Sequence, residues 1–325
     1  MSPASPPAIH AEHLVKHYGT QRALDDFTLT VPTGSIHGLL GPNGAGKTTA
    51  VNVLSTLTAL TGRDTGTARI AGTDIHEGPA VRERIGLVGQ YAAVDEALGG
   101  HENLVMFARL LGLRRRDAHR RADELLEQFD LTDAAGRTVS GYSGGMRRRL
   151  DIAVSLIRHP DVLFLDEPTT GLDPRGRSDV WDAVLSAARA GTTVLLTTQY
   201  LEEADRLADR ISIMTSGRVV AEGTPGELKR SRGGDRVDVT FGPQVSRSEV
   251  ADALCGAPSA PTMSVVESAE GLRVSLPAPA GTVDLVDTVR RLDAATLSPV
   301  DIALRRPTLD EVFLAVTDQS HEEKP

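Results

Sequence analysis

Cysteine occurs once in the 325-residue chain, at Cys255, so no disulfide can form within it, and a reducing compartment is expected. That lone cysteine reads as a small buried apolar residue. Positive charge is in deficit: the formal net charge is -9 and the pI about 5.5, which argues against the basic footprint of nonspecific nucleic-acid binding. No window approaches the ~18 uncharged apolar residues needed to span a bilayer. The best candidate, Val180 to Leu196, is broken by Asp182, Arg189 and Gly191. Met1 to Ala8 lacks a basic start followed by an apolar run, so no secretory signal is expected and the chain reads as soluble. Sustained heptads are missing too, which argues against a long coiled-coil arm. Lysine is scarce, found only at Lys16, Lys47, Lys229 and Lys324.

One of these rare lysines closes the segment Gly41-Pro42-Asn43-Gly44-Ala45-Gly46-Lys47-Thr48, which has the G-x-x-x-x-G-K-[ST] spacing of a phosphate-binding loop. The run before it, Ser35 to Leu40, reads as a short buried strand, and Thr49 to Leu60, free of Gly and Pro, as a helix. Glycines let the main chain curl until successive N–H groups point inward, and a helix N-terminus adds its positive end. Lys47 then reaches the outer phosphates of a nucleoside triphosphate, and the Thr48 hydroxyl can ligate Mg²⁺.

The chain is long enough for two domains. Ile9 to Val15 and Phe27 to Val31 read as outer strands of period two, followed by strands at Ala68 to Ile70 and Ile85 to Val88. His101 to Leu113, Asp117 to Phe129 and Met146 to Arg158 are helical patterns with no strand between them, a helical subdomain of about residues 91–160 inserted into an α/β core. Strands resume at Val162 to Leu165, Thr193 to Thr197, Ile211 to Met214 and Val219 to Ala221. The polar stretch Ser231 to Asp235 reads as a linker dividing residues 1–230 from 236–318. Beyond it a βαββαβ order predicts a small α+β, ferredoxin-like domain. A last helix starts at Thr308, with Thr308 and Glu311 fitting a capping box and Leu309, Val312, Phe313 and Val316 on one apolar face. That face is expected to pack on its own domain, or else to meet a second copy. Residues 319–325 read as a disordered tail.

Two further elements belong with the loop. Val162 to Leu165 end in Asp166-Glu167, and four apolar residues followed by two carboxylates are costly unless the acids face a cation or a polar cleft. Asp166 would hold Mg²⁺, and Glu167 would polarise the water that attacks the γ-phosphoryl group. Tyr142-Ser143-Gly144-Gly145-Met146 opens a helix with a hydroxyl and two glycines, a second anion site. One γ-phosphate does not need two such sites in one chain, so the turn is expected to cover the nucleotide held by a twin subunit.

These motifs make the resemblance specific. Tyr142 to Met146 resembles the Leu-Ser-Gly-Gly-Gln signature of ATP-binding cassette (ABC) ATPases, with Tyr for Leu and Met for Gln, and the likeness runs from about Ile9 to Glu222. It implies a P-loop NTPase nucleotide-binding domain with a RecA-like core, an antiparallel β subdomain and an inserted helical subdomain. It further implies that Tyr18 stacks on adenine, that Gly41 to Thr49 hold the phosphates, and that Gln90 is the Q-loop glutamine and a Mg²⁺ ligand. Ser143, Gly144, Gly145 and Asp173 would reach nucleotide across a homodimer. Gly89-Gln90-Tyr91, Tyr142 to Asp151, Thr197 to Leu201 and the tail Arg306 to Leu314 are similar to the daunorubicin-resistance branch of drug exporters. Where most members carry a switch histidine, this chain has Gln199, which can donate to a γ-phosphate but cannot act as a base near pH 7. Proton acceptance would then rest on Glu167.

The expected protein is therefore an ATP- and Mg²⁺-dependent ATPase subunit on the cytoplasmic face of the membrane, driving export with two copies of a separate transmembrane permease. Export of a lipid or glycan, or a soluble non-transport cassette, are the alternatives. Two other features read as ordinary. In a period-two strand His10 and His13 point to opposite faces, so with His17 they make no metal site. Arg114 to Arg116 reads as a solvated corner. The run Arg147 to Arg149 stays open: Arg147 is placed to pair with Asp151 at i+4, yet the run lies near the expected second anion site.

Overall fold

The computed structural model describes residues 6–90, 92–231, 234–254, 263–268, 271–306 and 308–314. It divides into two compact units, Met1–Pro225 and Gly226–Pro325. Cys255, Val316, Tyr91, Pro307 and the expected tail lie outside the described residues. Among the described residues, no helix is long and apolar enough to cross a membrane.

The first unit runs β1 (Ile9–Tyr18), β2 (Gln21–Val31), β3 (Ile36–Leu40), α1 (Lys47–Leu54), β4 (Thr65–Ile70), β5 (Thr73–Asp74), α2 (Gly78–Arg84) and β6 (Ile85–Val88). Three helices follow, α3 (Gly100–Leu110), α4 (Arg115–Gln128) and α5 (Gly144–Ser155). Then come β7 (Val162–Asp166), α6 (Pro174–Arg189), β8 (Thr193–Thr198), α7 (Leu201–Leu207), β9 (Arg210–Thr215) and β10 (Arg218–Gly223). One sheet is antiparallel, in the order β2-β1-β4-β5. The other has the order β10-β9-β3-β8-β7-β6 and is parallel apart from β10.

Every residue of β3, β7 and β8 is buried, because both faces of the parallel sheet are covered. Along β7, Val162 and Phe164 enter one hydrophobic cluster with the antiparallel sheet and α1. Leu163 and Leu165, pointing the other way, join a cluster built with α3 to α6. The helical stretch α3–α5 thus enters between two paired strands, β6 and β7, and covers one face of the sheet. On β3, His37 has no exposure and meets Ser212 of β9 at 2.8 Å. Burial pushes its pKa down to about 4, helped by the Arg210 charge, so it is neutral at pH 7.

Two local expectations need correction. The helix after the phosphate loop ends at Leu54 and not at Leu60: Ser55 is its C-cap and Thr56 turns into the left-handed region at φ 62°. The run Ser55-Thr56-Leu57-Thr58 has no Gly or Pro, but its Ser and β-branched Thr residues are weak helix formers. β1 is not a regular period-two strand either. Register shifts fall between Ala11 and Leu14 and beyond, and His13 sits at φ 51°. His10, His13 and His17 go to Glu12, Asp26 and Asp64 at 3.2, 2.6 and 3.3 Å.

In the second unit α8 (Pro225–Arg230) precedes β11 (Arg236–Phe241), α9 (Arg247–Leu254), β12 (Ser264–Ser268), β13 (Gly271–Pro277), α10 (Thr282–Ala294) and β14 (Asp301–Arg305). The strands pair in the order β12-β13-β11-β14, each pair antiparallel. Val237, Val239 and Phe241 alternate inward from β11 onto Val250, Leu254 and Leu292 of the helices. Leu309 and Val312 of the terminal helical turn at 309–314 are buried.

Candidate functional site

Parallel strands deliver their C-terminal ends to one edge of the sheet, and ligands of such folds bind in the crevice there. β3, β8 and β7 are neighbours, with Leu40 opposite Thr198 and Asp166 opposite Thr197. The phosphate loop leaves β3, Asp166 and Glu167 end β7, and Gln199 follows β8, so residues far apart in sequence meet. Gly41 N–H donates to the Thr198 carbonyl at 3.3 Å, which places Gln199 beside the loop.

The loop holds its curl by close approach. A Cβ on Gly41 would lie 2.5 Å from the Met214 carbonyl oxygen, and one on Gly46 would lie 2.5 Å from that of Ala23. Gly46 also has φ 104°, a conformation that only glycine adopts at little cost. Pro42, Asn43 and Gly44 form the exposed tip, while Ala45 is buried. Gly46 is the N-cap of α1 and brings no side chain to cap it, and among the described residues no side chain accepts from the helix's first turn. Lys47 is buried, its Nζ donating to the carbonyls of Gly41 at 2.8 Å and Pro42 at 3.1 Å and lying 3.3 Å from Glu167 Oε1.

Thr48 Oγ1 donates to Asp166 Oδ2 at 2.9 Å and Oδ1 at 3.3 Å, and Thr197 Oγ1 donates to Oδ1 at 2.5 Å. A hydroxyl and a buried carboxylate converging on one point are hard oxygen donors, the kind Mg²⁺ takes. A lysine, an uncapped helix N-terminus and this oxygen pair therefore fit a Mg²⁺-triphosphate. Thr49 follows in the first turn of α1, half-buried. Glu167 has φ 48°, rare for a residue with a Cβ. Its N–H goes to the Thr197 carbonyl and hydroxyl, both at 3.1 Å.

Tyr18 ends β1, 48% exposed, its ring 5.6 Å from the Lys16 ammonium, which is itself buried and paired to Asp64 at 2.7 Å. Gln90 is exposed just after β6. Ser143 is the N-cap of α5, its hydroxyl accepting from Met146 N–H at 3.2 Å. Asp173 is the N-cap of α6, accepting from Gly176 N–H at 3.0 Å. A Cβ on Gly144 would lie 2.8 Å from Leu172 Cδ2, and one on Gly145 3.0 Å from Gly176 Cα. The glycines of this turn thus let α5 approach α6. The structure gathers Lys47, Thr48, Asp166 and Glu167 at one edge, and Gly145 lies against Gly176 in the first turn of α6, which Asp173 caps.

The arginine run after the turn differs from expectation. Arg147 does not meet Asp151; it goes to Glu96 at 3.1 Å and to the Tyr142 carbonyl at 3.2 Å. Asp151 faces the interior, where it accepts from Ala93 N–H at 2.9 Å and lies 3.5 Å from Arg148. Burial pushes Asp151 up from the ordinary carboxylate pKa, opposed by the Ala93 bond and the Arg148 charge. Arg148 is buried against main-chain carbonyls of the site. The signal for it lay in spacing: Arg148 is three residues from Gly145 and four from Ile152, both on the buried stripe. Glu203 of α7 was also missed. It is buried and takes the Trp181 indole N–H at 3.1 Å, and burial raises its pKa.

The family profile described as "ABC transporter" matches residues 24–170. A daunorubicin resistance ATP-binding protein of Streptomyces coeruleorubidus is 54% identical over 318 residues, 98% of each chain. A doxorubicin resistance ATP-binding protein of Mycobacterium tuberculosis is 50% identical over 310 residues, 94% of this chain and 92% of that one. Among solved structures, an ATP-binding subunit of an ABC transporter is 28% identical and superposes with a TM-score of 0.59, over 69% of this chain and 92% of the other. With the phosphate loop, the Asp166-Glu167 strand end and the Ser143 turn in their places on this fold, the chain belongs to the ATP-hydrolysing subunits of ABC transporters, in the daunorubicin/doxorubicin-resistance family.

Proposed function

We propose that this subunit hydrolyses Mg-ATP as one half of a homodimer and drives efflux of a drug or hydrophobic natural product through two copies of a separate transmembrane permease, from the cytoplasmic face of the membrane. Support for the drug class comes from likeness along almost the whole chain, second unit included, to proteins named for daunorubicin and doxorubicin resistance.

The observation that carries the catalytic reading is the contact of Lys47 with Glu167 beside Thr48 and Asp166, at the end of three parallel strands. In this reading the N–H groups of Gly41 to Thr49 and the Lys47 ammonium bind the phosphates. Lys47 leaves the loop carbonyls and Glu167 to do so, which frees the carboxylate to orient water and accept its proton. Thr48 and Asp166, with Gln90, would hold a Mg²⁺ that neutralises charge on the outer phosphates. Gln199 donates to the γ-phosphate, and Tyr18 stacks on adenine. Ser143, Gly144, Gly145 and Asp173 act on the nucleotide of the twin in this reading, because one γ-phosphate does not need two such helix starts in one chain.

The test is Glu167→Gln in the purified full chain. Phosphate release is expected to fall by about 10²–10⁴-fold, while equilibrium titration shows ATP still bound and sedimentation shows a dimer trapped with Mg-ATP. Turnover near the unsubstituted rate would remove Glu167 from the mechanism, and a monomer at saturating Mg-ATP would remove the shared site. Drug accumulation in cells carrying the chain with its permease, against Lys47→Ala, then tests the substrate class.

A further inference from the structure

We propose that Arg148 positions Glu167: its buried guanidinium clamps the main chain on both sides of that residue and keeps the carboxylate beside Lys47. The inference rests on the reading of Glu167 as the group that orients water.

Glu167 needs such a clamp. A left-handed backbone is disfavoured for any residue with a Cβ and persists only where the surroundings over-determine it. Glu167 stands at φ 48° and is followed by Pro168, which has no N–H with which to anchor the turn. Thr197 holds the N–H of Glu167. The carbonyls on either side are held by Arg148, whose Nη2 donates to Asp166 O at 3.3 Å and whose Nε donates to Pro168 O at 2.9 Å. The planar fork of arginine presents Nε and Nη2 to the two carbonyls in a fixed geometry, which the single nitrogen of an ammonium on a flexible stem does not.

The same guanidinium reaches further. Its Nη1 donates to the Gly89 carbonyl at 2.6 Å, immediately before Gln90, and lies 3.5 Å from Asp151 Oδ2. Asp151 in turn accepts from Ala93 N–H at 2.9 Å, so the Arg148–Asp151 pair grips the chain on both sides of Gln90. Arg148 belongs to α5, the helix that Ser143 opens. One side chain therefore joins the helix of the Ser143 turn, the segment carrying Gln90 and the strand end carrying Glu167. Burial draws its pKa below the ordinary arginine value, and the Asp151, Asp166 and Glu203 carboxylates oppose that shift. No step passes through Arg148 itself. It acts through Glu167.

The test is a double-mutant cycle on the full chain with R148K, which keeps the charge and loses the fork, and R148Q, which keeps two donors and loses the charge. Each is made alone and with E167Q. Melting, equilibrium binding of a fluorescent ATP analogue and single-turnover phosphate release are measured. Expected for both single variants is a folded protein with unchanged nucleotide affinity and kcat reduced on the order of 100-fold, the scale of a small misplacement of a catalytic group. With E167Q already present, either change should lower the rate little further, because the group being positioned is gone. Wild-type kcat in the single variants would overturn the proposal. So would losses that multiply with that of E167Q, a loss confined to ATP affinity, or failure of both variants to fold, which would leave Arg148 a structural residue only. E167Q turning over normally by itself would refute the role of Glu167 instead, whatever Arg148 does.

Discussion

The N-termini of α1 and α5 look alike in sequence, each with glycines and a hydroxyl at the start of a helix, yet they are built differently. At α1 the glycine adjoining Lys47 is forced by the main chain: Gly46 has φ 104°, and a Cβ there would strike the Ala23 carbonyl oxygen at 2.5 Å and Met214 Cε at 2.8 Å. At α5 the glycines are forced by a neighbour, with a Cβ on Gly145 meeting Gly176 Cα at 3.0 Å. Among the described residues the first-turn donors of α1 have no side-chain acceptor, whereas Ser143 already takes the Met146 N–H of α5. Around α1 a lysine, two carboxylates and two threonine hydroxyls converge within one chain. Among the described residues nothing comparable converges on Ser143. A glycine-rich helix start thus arises from two causes, and only the company it keeps tells them apart.

The widest gap between the two should appear when their glycines are exchanged for alanine. Gly46→Ala combines about 1–2 kcal/mol for forcing a Cβ into a left-handed backbone with about 1–3 kcal/mol of overpacking. It should abolish nucleotide binding as the loop opens. Gly145→Ala keeps an ordinary helical backbone, so only the overpacking of about 1–3 kcal/mol applies, and nucleotide affinity should survive. Chemical denaturation of the two proteins, with ATP titration of each, measures both quantities. If Gly145→Ala lost as much stability and affinity as Gly46→Ala, the two helix starts would not differ in what their glycines do.

How far the sequence reaches follows from the same contrast. The phosphate loop and the Asp166-Glu167 strand end are legible because their costs are local: glycines needed for curl, and acids that cannot follow a buried apolar strand without a purpose. The alternation of strands and helices and the three-helix insertion are legible through periodicity. What escapes is choice among equals. Three adjacent arginines follow Met146, and i+4 counting picks Arg147 for Asp151, a rule for surface pairs. Asp151 is buried, so the partner is Arg148, and only the orientation of the whole helix decides that. Thr197 and Glu203 escape for a similar reason. A threonine inside a buried strand and a glutamate in a polar helix look unremarkable until the fold places Asp166 beside one and Trp181 beside the other. The end of α1 at Leu54 escapes because weak helix formers stop a helix only when tertiary packing does not extend it.

The smallest effect on stability is expected at Ser143, where it discriminates best. As an N-cap the serine contributes about 1 kcal/mol, so Ser143→Ala should melt slightly lower than the unsubstituted chain. Aspartate caps as well as serine does, so Ser143→Asp should restore the melting temperature. If the turn also meets the γ-phosphate of a twin, Ser143→Asp brings a carboxylate against a phosphate, where like charges repel. Hydrolysis should then fall further in the stable Ser143→Asp protein than in the less stable Ser143→Ala one. Melting curves and phosphate release at one protein concentration settle the order. A Ser143→Asp protein that both melts and hydrolyses normally would mean that the hydroxyl only caps α5, and that the second helix start is structural throughout.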